Sequence, residues 1–278
     1  MIWGLFGSTV RFILTHAARS DRGLVRAANK DIVFARRRLL AVADGMGGHP
    51  SGAITAQPTI DALAPLDTDP GPTHPATALH AAARTIANQV RAETALTDMG
   101  TTLVAILFGD NTFSLAYAGD NRAYLLRDGE CTQITHDESF VQTLLDAGRT
   151  TPVQAAHHPQ RAQILRAVTA EPIDPSLTGC AGDRFLLCSD GLTDVVDDTT
   201  LATSPAGPDI VADQLVGLAL ASGGPDNISV IVADLTDERH PSTPAAAGVA
   251  DLDVHRLLGE AESAIRQRCS GSHSVDRS

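Results

Sequence analysis

The chain has 278 residues, 43% hydrophobic and 19% charged, with a formal net charge of −12. That balance supports a buried core and excludes global disorder. The acidic excess argues against a protein that coats nucleic acid, because phosphate binding calls for a basic face.

The N-terminal run Met1-Ile-Trp-Gly-Leu-Phe has no basic region and no small-residue cleavage site, so no signal peptide is expected. Apolar stretches fall short of the about 20 residues that span a bilayer, and a cytoplasmic protein without membrane insertion is expected. Cys131, Cys180, Cys188 and Cys269 show no C-x-x-C and no paired spacing, which fits a reducing compartment. The first clear element is Leu39-Leu40-Ala41-Val42-Ala43, short and continuously apolar as in a strand buried on both faces. Leu79, Ala82, Ala83, Ile86 and Val90 then recur at helical spacing, giving an amphipathic helix from Thr77 to about Arg91. Thr101–Phe108 and Thr112–Ala118 are two strands joined at Gly109-Asp110-Asn111, and Ala123–Arg127 and Cys131–Ile134 flank the turn Asp128-Gly129.

Phe140 to Val168 interrupts this pattern with short helical pieces broken at Gly148 and Pro152, as in an inserted subdomain or lid. Arg184–Cys188 and Ile228–Ala233 complete the strands, and Ile210 to Ala221 is a second helix stopped by Gly223-Gly224. Cys188, inside an apolar run, is a small core residue. After residue 240 the character changes: Pro241-Ser-Thr-Pro-Ala-Ala-Ala-Gly is linker-like. Val254, Leu257, Leu258, Ala261 and Ile265 follow at helical spacing, interrupted by Gly259. The expected organisation is a domain over 1–240 and a linker and tail over 241–278, with a short helix. Mixed strands and helices without regular βαβ alternation point to an α+β domain with largely antiparallel sheets.

The chemistry lies in where the aspartates fall. Asp44-Gly45 ends the run Leu39–Ala43, and Asp120 follows Leu115-Ala-Tyr-Ala-Gly. Asp190-Gly191 comes one serine after Cys188, and Asp226-Asn227 immediately precedes Ile228. Any one such step is an ordinary turn; four at the margins of apolar strands are a pattern. If those strands are neighbours, the carboxylates crowd one rim and raise each other's pKa unless a cation neutralises them. Oxygen-only donors select hard ions such as Mg²⁺ or Mn²⁺ over Zn²⁺. The glycine at Gly45 lets the backbone turn and bring a carbonyl within reach of such an ion.

Six blocks in order carry a family resemblance. They are Gly23-Leu-Val-Arg-Ala-Ala-Asn-Lys-Asp31, Ala43-Asp-Gly-Met-Gly-Gly-His49, Met99-Gly-Thr-Thr-Leu103, Ala118-Gly-Asp-Asn-Arg-Ala-Tyr124, Leu187-Cys-Ser-Asp-Gly-Leu-Thr-Asp194 and Gly224-Pro-Asp-Asn-Ile-Ser-Val230. Over about Arg11 to Thr236 the chain resembles the metal-dependent type 2C protein serine/threonine phosphatases, in their compact bacterial form. The resemblance implies a four-layer α-β-β-α sandwich of two facing antiparallel sheets with Mn²⁺ or Mg²⁺ at one rim, two ions and a third in bacterial members. By that likeness Asp44 bridges two ions, the Gly45 carbonyl binds one, and Asp190 and Asp226 hold the first. Asp31 holds waters of the second, and Asp120, with Asp190, the third. Arg26 matches the arginine that grips the substrate phosphate, for which a guanidinium's paired N–H donors are suited. The implied reaction is hydrolysis of phosphoserine and phosphothreonine by a water acidified between two ions, with phosphorylated proteins as substrates and a Ser/Thr kinase system as the opposing partner. The segment from His136 to about 170 matches the family's flap.

The pattern departs at three places. Lys30 stands where the family usually has glutamate; it either repels the second ion, points to solvent or reaches the substrate phosphate. Ala53 replaces a usual glutamate, and Pro58 is expected to break the helix that should follow. Met46 stands where many eukaryotic members have a histidine, and His49 has no assigned role. Two alternatives to an active phosphatase therefore stay open: a degenerate member that binds a phosphoprotein with little turnover, and a regulator restricted to one dedicated phosphoprotein. A monomer is expected.

Overall fold

The computed structural model describes residues 12–46, 52–68, 77–79, 81–82, 84, 100–109, 112–165, 178–201 and 204–238. The chain opens with strands β1 (Phe12–Asp21), β2 (Asp31–Ala35) and β3 (Leu39–Met46), followed by helix α1 (Gly52–Leu63) and a 3₁₀ turn at Ala64–Asp67. Strands β4 (Gly100–Phe108), β5 (Phe113–Ala118), β6 (Arg122–Arg127) and β7 (Glu130–Gln133) come next. Two short helices, α2 (Phe140–Asp146) and α3 (Pro152–Ala156), precede β8 (Arg184–Cys188). The chain continues through α4 (Asp190–Thr193), α5 (Asp198–Leu201), α6 (Pro208–Ala221) and β9 (Ile228–Asp237).

The strands form a five-stranded sheet, β1-β9-β8-β6-β7, and a four-stranded sheet, β2-β3-β4-β5. Every pairing in them is antiparallel. Side-chain alternation along β3 explains the layering. Leu40 and Val42 face the other sheet and pack with Phe185, Leu187, Ile231 and Ala233. Leu39, Ala41 and Ala43 face the opposite way, onto Ala56, Ile60 and Leu63 of α1 and onto Leu79. Between the sheets, Phe185 meets Phe108 and Phe113 edge-on at centroid distances of 5.1 and 4.9 Å. On the far face of the five-stranded sheet, Val211, Ala212, Leu215 and Ala219 of α6 cover Leu186, Cys188, Val230 and Val232. The result is the four-layer α-β-β-α sandwich, and Cys188 is the core residue its apolar run implies.

The structure departs from the sequence reading in several places. Strands β1 and β2 have no counterpart in the apolar-run reading; each lies at one edge of its sheet, and most of their residues are half exposed. Strand β3 does not stop at Ala43 but runs through Asp44, Gly45 and Met46, paired with Thr102, Thr101 and Gly100. Pro58 lies inside α1 without breaking it. An interior proline costs about 3 kcal/mol, and burial of Ala56, Ile60 and Leu63 against the sheet offsets it. The turn at Asp128-Gly129 is as expected, with both residues at positive φ, 53° and 85°, the requirement of a type I′ hairpin. Residues 77–79, 81–82 and 84 are helical; the rest of the expected helix to Arg91, the turn residues Asp110 and Asn111, and the tail over 241–278 lie outside the described residues.

Candidate active site

Strand pairing starts the site. The β2–β3 register sets Asp31 directly opposite Asp44. Asp31 is buried, its Oδ2 accepting a hydrogen bond from Ser189 Oγ at 2.8 Å while its Oδ1 has no partner. Ser189 follows β8, so this contact ties the rim of one sheet to the rim of the other. The same hydroxyl accepts from the Ser229 N–H at 3.0 Å, and the next residue, Asp190, opens α4 with its own Oδ1 buried and unpartnered.

Asn227 knits the N-terminal loop to the start of β9. Its Oδ1 accepts from the Lys30 N–H at 2.9 Å, and its Nδ2 donates to the carbonyls of Arg22 and Ala28 at 2.8 and 3.0 Å. Two glycines permit the close approach. Gly23, at φ +74°, would place a Cβ 2.1 Å from the Asp226 carbonyl oxygen, and Gly191 would place one 1.9 Å from that of Asn227. Arg26 on this loop reaches Asp226, Nη2 to Oδ2 at 2.5 Å. Asp120 sits in the β5–β6 connection, and Gly45 is buried in β3 opposite Thr101, whose hydroxyl donates to the Asp44 carbonyl at 2.8 Å.

The carboxylates feel one another. Burial first, then Asp31, Asp226 and Asp120, push the Asp44 carboxyl well above the usual carboxylate range. Asp190 rises for the same reasons, burial and then Asp120 and Asp44. Burial raises Asp31, and burial with the charge of Asp137 lifts Asp120 to about 6. The structure thus brings Asp31, Asp44, Asp120, Asp190 and Asp226 to one rim, with Arg26 among them. As placed, no three Asp, Glu, His or Cys side chains close around one point among the described residues. The rim nevertheless fits hard divalent ions: its donors are all oxygen, two buried carboxylate oxygens are orphaned, and the clustered charge calls for a cation.

Sequence reasoning gave no role to Ser189, Asp137, Asp194 or Arg122. Arg122 grips Asp137 through both carboxylate oxygens, at 3.0 and 2.7 Å, and so anchors the stem of the segment carrying α2 and α3. A cavity of about 260 Å³ opens there, lined by Asp120, Asp190 and Asp194 on one side and by Val141, Leu145 and Arg161 on the other. Asp194 had a signal, since it closes a quoted block; Asp137 stands in irregular chain and had none. His49 lies outside the described residues, as do the side chains of Met46 and Ala53.

The family described as Protein phosphatase 2C matches residues 29–215. The serine/threonine protein phosphatase PstP of Mycobacterium tuberculosis is 50% identical over 275 residues, covering 93% of this chain and 53% of the relative. The chain therefore spans about half the length of that relative. The serine/threonine phosphatase stp of Listeria monocytogenes is 33% identical over 242 residues, 79% of this chain and 96% of the relative. Among solved structures, the catalytic domain of PstP in complex with two manganese ions superposes with a TM-score of 0.71 at 50% identity, covering 81% of this chain and 100% of that one. The sheet order, the rim of aspartates and these matches lead to one conclusion: the chain belongs to the protein phosphatase 2C family.

Proposed function

We propose that this chain is a Mn²⁺- or Mg²⁺-dependent phosphatase that hydrolyses phosphoserine and phosphothreonine in proteins. The observation that carries this reading is the convergence of five aspartates and one arginine, from both sheets, on a single rim. Relatives named as serine/threonine phosphatases, one of them solved with two manganese ions, support it.

In this reading Asp44, the Gly45 carbonyl, Asp190 and Asp226 would hold two ions, Asp31 would position their water, and Asp120 with Asp190 would hold a third. The ions, when bound, supply Lewis acidity toward phosphate oxygens and toward the attacking water. Arg26 exchanges its contact with Asp226 for the substrate phosphate, offering paired N–H donors to oxygens that gain charge during transfer. Ser189, donating to Asp31, favours its ionised form against the effect of burial, and the segment from His136 to about 170 governs access as a flap.

The proposed catalytic domain spans 1–240, with 241–278 as linker and tail. No helix among the described residues is long and apolar enough to cross a membrane. The proposed setting is the cytoplasm, where a monomeric enzyme would oppose Ser/Thr protein kinases. The test is phosphate release from a phosphothreonine peptide with Mn²⁺ or EDTA, beside the same peptide carrying phosphotyrosine. Mn²⁺-dependent release from the first alone supports the proposal, and no release from either contradicts it.

A further inference from the structure

The loop that carries Arg26 also carries two large apolar side chains in water. Leu24 is 63% exposed and Val25 is 70% exposed, adjacent in sequence and immediately before Arg26. Single exposed aliphatic residues are common on any surface. A pair beside a phosphate-binding arginine differs, because this loop is not free to fold the pair away. The Leu24 N–H donates to the Gly224 carbonyl at 2.8 Å, and Gly23 is seated against the Asp226 backbone. The Arg22 guanidinium donates to the Arg26 carbonyl, and Asn227 holds the Arg22 and Ala28 carbonyls. The backbone on both sides of Leu24 and Val25 is thus fixed to the β9 end of the rim, and the two side chains project from it.

We propose that Leu24 and Val25 form a recognition ledge for the residues flanking the phosphorylated side chain, and that the favoured substrate segment is apolar there. This rests on the phosphatase reading. The occupant follows from continuity with the site: a phosphoryl group engaged by Arg26 carries its own polypeptide past the two residues before Arg26. Aliphatic flanking residues gain by covering the ledge, whereas charged flanks lose hydration without a polar partner on it.

The experiment compares two phosphothreonine peptides in Mn²⁺, identical except for Leu and Val or Ser and Asp beside the phosphothreonine. Each is assayed with the wild type and with a Leu24→Ser/Val25→Ser variant, alongside p-nitrophenyl phosphate, which has no flanking residues. The wild type should favour the apolar peptide about tenfold in kcat/KM, mainly through KM. The variant should lose that preference while keeping its rate on p-nitrophenyl phosphate. An unselective wild type, a preference that survives in the variant, or an equal loss on p-nitrophenyl phosphate would each overturn the ledge. If the wild type turns over none of the three, the phosphatase reading fails instead. Peptide binding by fluorescence anisotropy then decides the ledge: tighter binding of the apolar peptide that the variant abolishes supports it, and equal binding overturns it.

Discussion

Replacing Ser189 with alanine removes a hydroxyl that does two jobs at once. Ser189 is fully buried; its Oγ donates to Asp31 Oδ2 at 2.8 Å and accepts from the Ser229 N–H at 3.0 Å. A hydrogen bond to an ionised group contributes about 1.5–3 kcal/mol, and a buried N–H left unpaired costs about 1–3 kcal/mol. The Ser189→Ala variant should therefore lose roughly 3 kcal/mol in urea unfolding at pH 7 in EDTA, with an unchanged m-value. Asp31, raised by burial and held down by the hydroxyls of Ser229 and Ser189, rises further when the second is removed. Protonating Asp31 relieves part of the loss, so the deficit should shrink at lower pH. The extra proton also competes with a cation, so Mn²⁺ affinity, read from thermal shifts across a Mn²⁺ titration, should fall about tenfold or more. A loss under about 1 kcal/mol with unchanged Mn²⁺ affinity would refute the idea that Ser189 joins the two halves of the rim.

Arg26→Ala should lower kcat/KM for a phosphothreonine peptide by about 10²-fold without weakening Mn²⁺ binding, since it removes a positive charge held against Asp226 rather than a metal donor; titrating metal and substrate separately checks both halves. Lys30→Glu should tighten binding of the second Mn²⁺ by removing a cation beside Asp31, and calorimetry showing equal affinity would assign Lys30 elsewhere. In EDTA the rim should make the fold less stable as pH rises. The native carboxyls of Asp44 and Asp190 titrate well above their unfolded values and Asp120 near 6, so the stability they contribute is full below about pH 4; the part from Asp120 is lost as pH climbs through about 6, and the part from Asp44 and Asp190 as pH climbs above the usual carboxylate range. Added Mn²⁺ should reverse that trend, with a stabilisation that grows with pH; a Mn²⁺ increment independent of pH would contradict the coupling.

The strands that apolar runs alone made plain, such as β3, β4 and β8, are buried on both faces, whereas the half-exposed edge strand β7 was legible only through the turn at Asp128-Gly129 beside it. Their continuous apolar runs are the signature of a strand covered on two sides. Edge strands carry a weaker mark: Phe-Ile-Leu-Thr-His-Ala-Ala-Arg-Ser-Asp of β1 mixes polar and apolar residues because much of it meets solvent. The same distinction runs through the site. Asp44, Asp120, Asp190 and Asp226 stand beside apolar runs, so position alone singled them out. Asp31 begins an edge strand and Arg26 lies in a loop, so only the family resemblance reached them. The contacts that organise the rim join residues far apart in sequence; Ser189 and Asp31 are 158 positions apart. No local pattern encodes such a contact, which follows from stacking two sheets.

The most direct measurement is hydrolysis of p-nitrophenyl phosphate at neutral pH by the wild type and by Asp44→Asn, each in Mn²⁺ and in EDTA. Asp44 lies opposite Asp31 in the strand pairing and rises in pKa through Asp31, Asp226 and Asp120 as well as burial, which makes it the residue that most of the rim shares. The account predicts turnover by the wild type only in Mn²⁺ and none above background by Asp44→Asn in either condition. Turnover in EDTA, or an Asp44→Asn enzyme as active as the wild type, would contradict it.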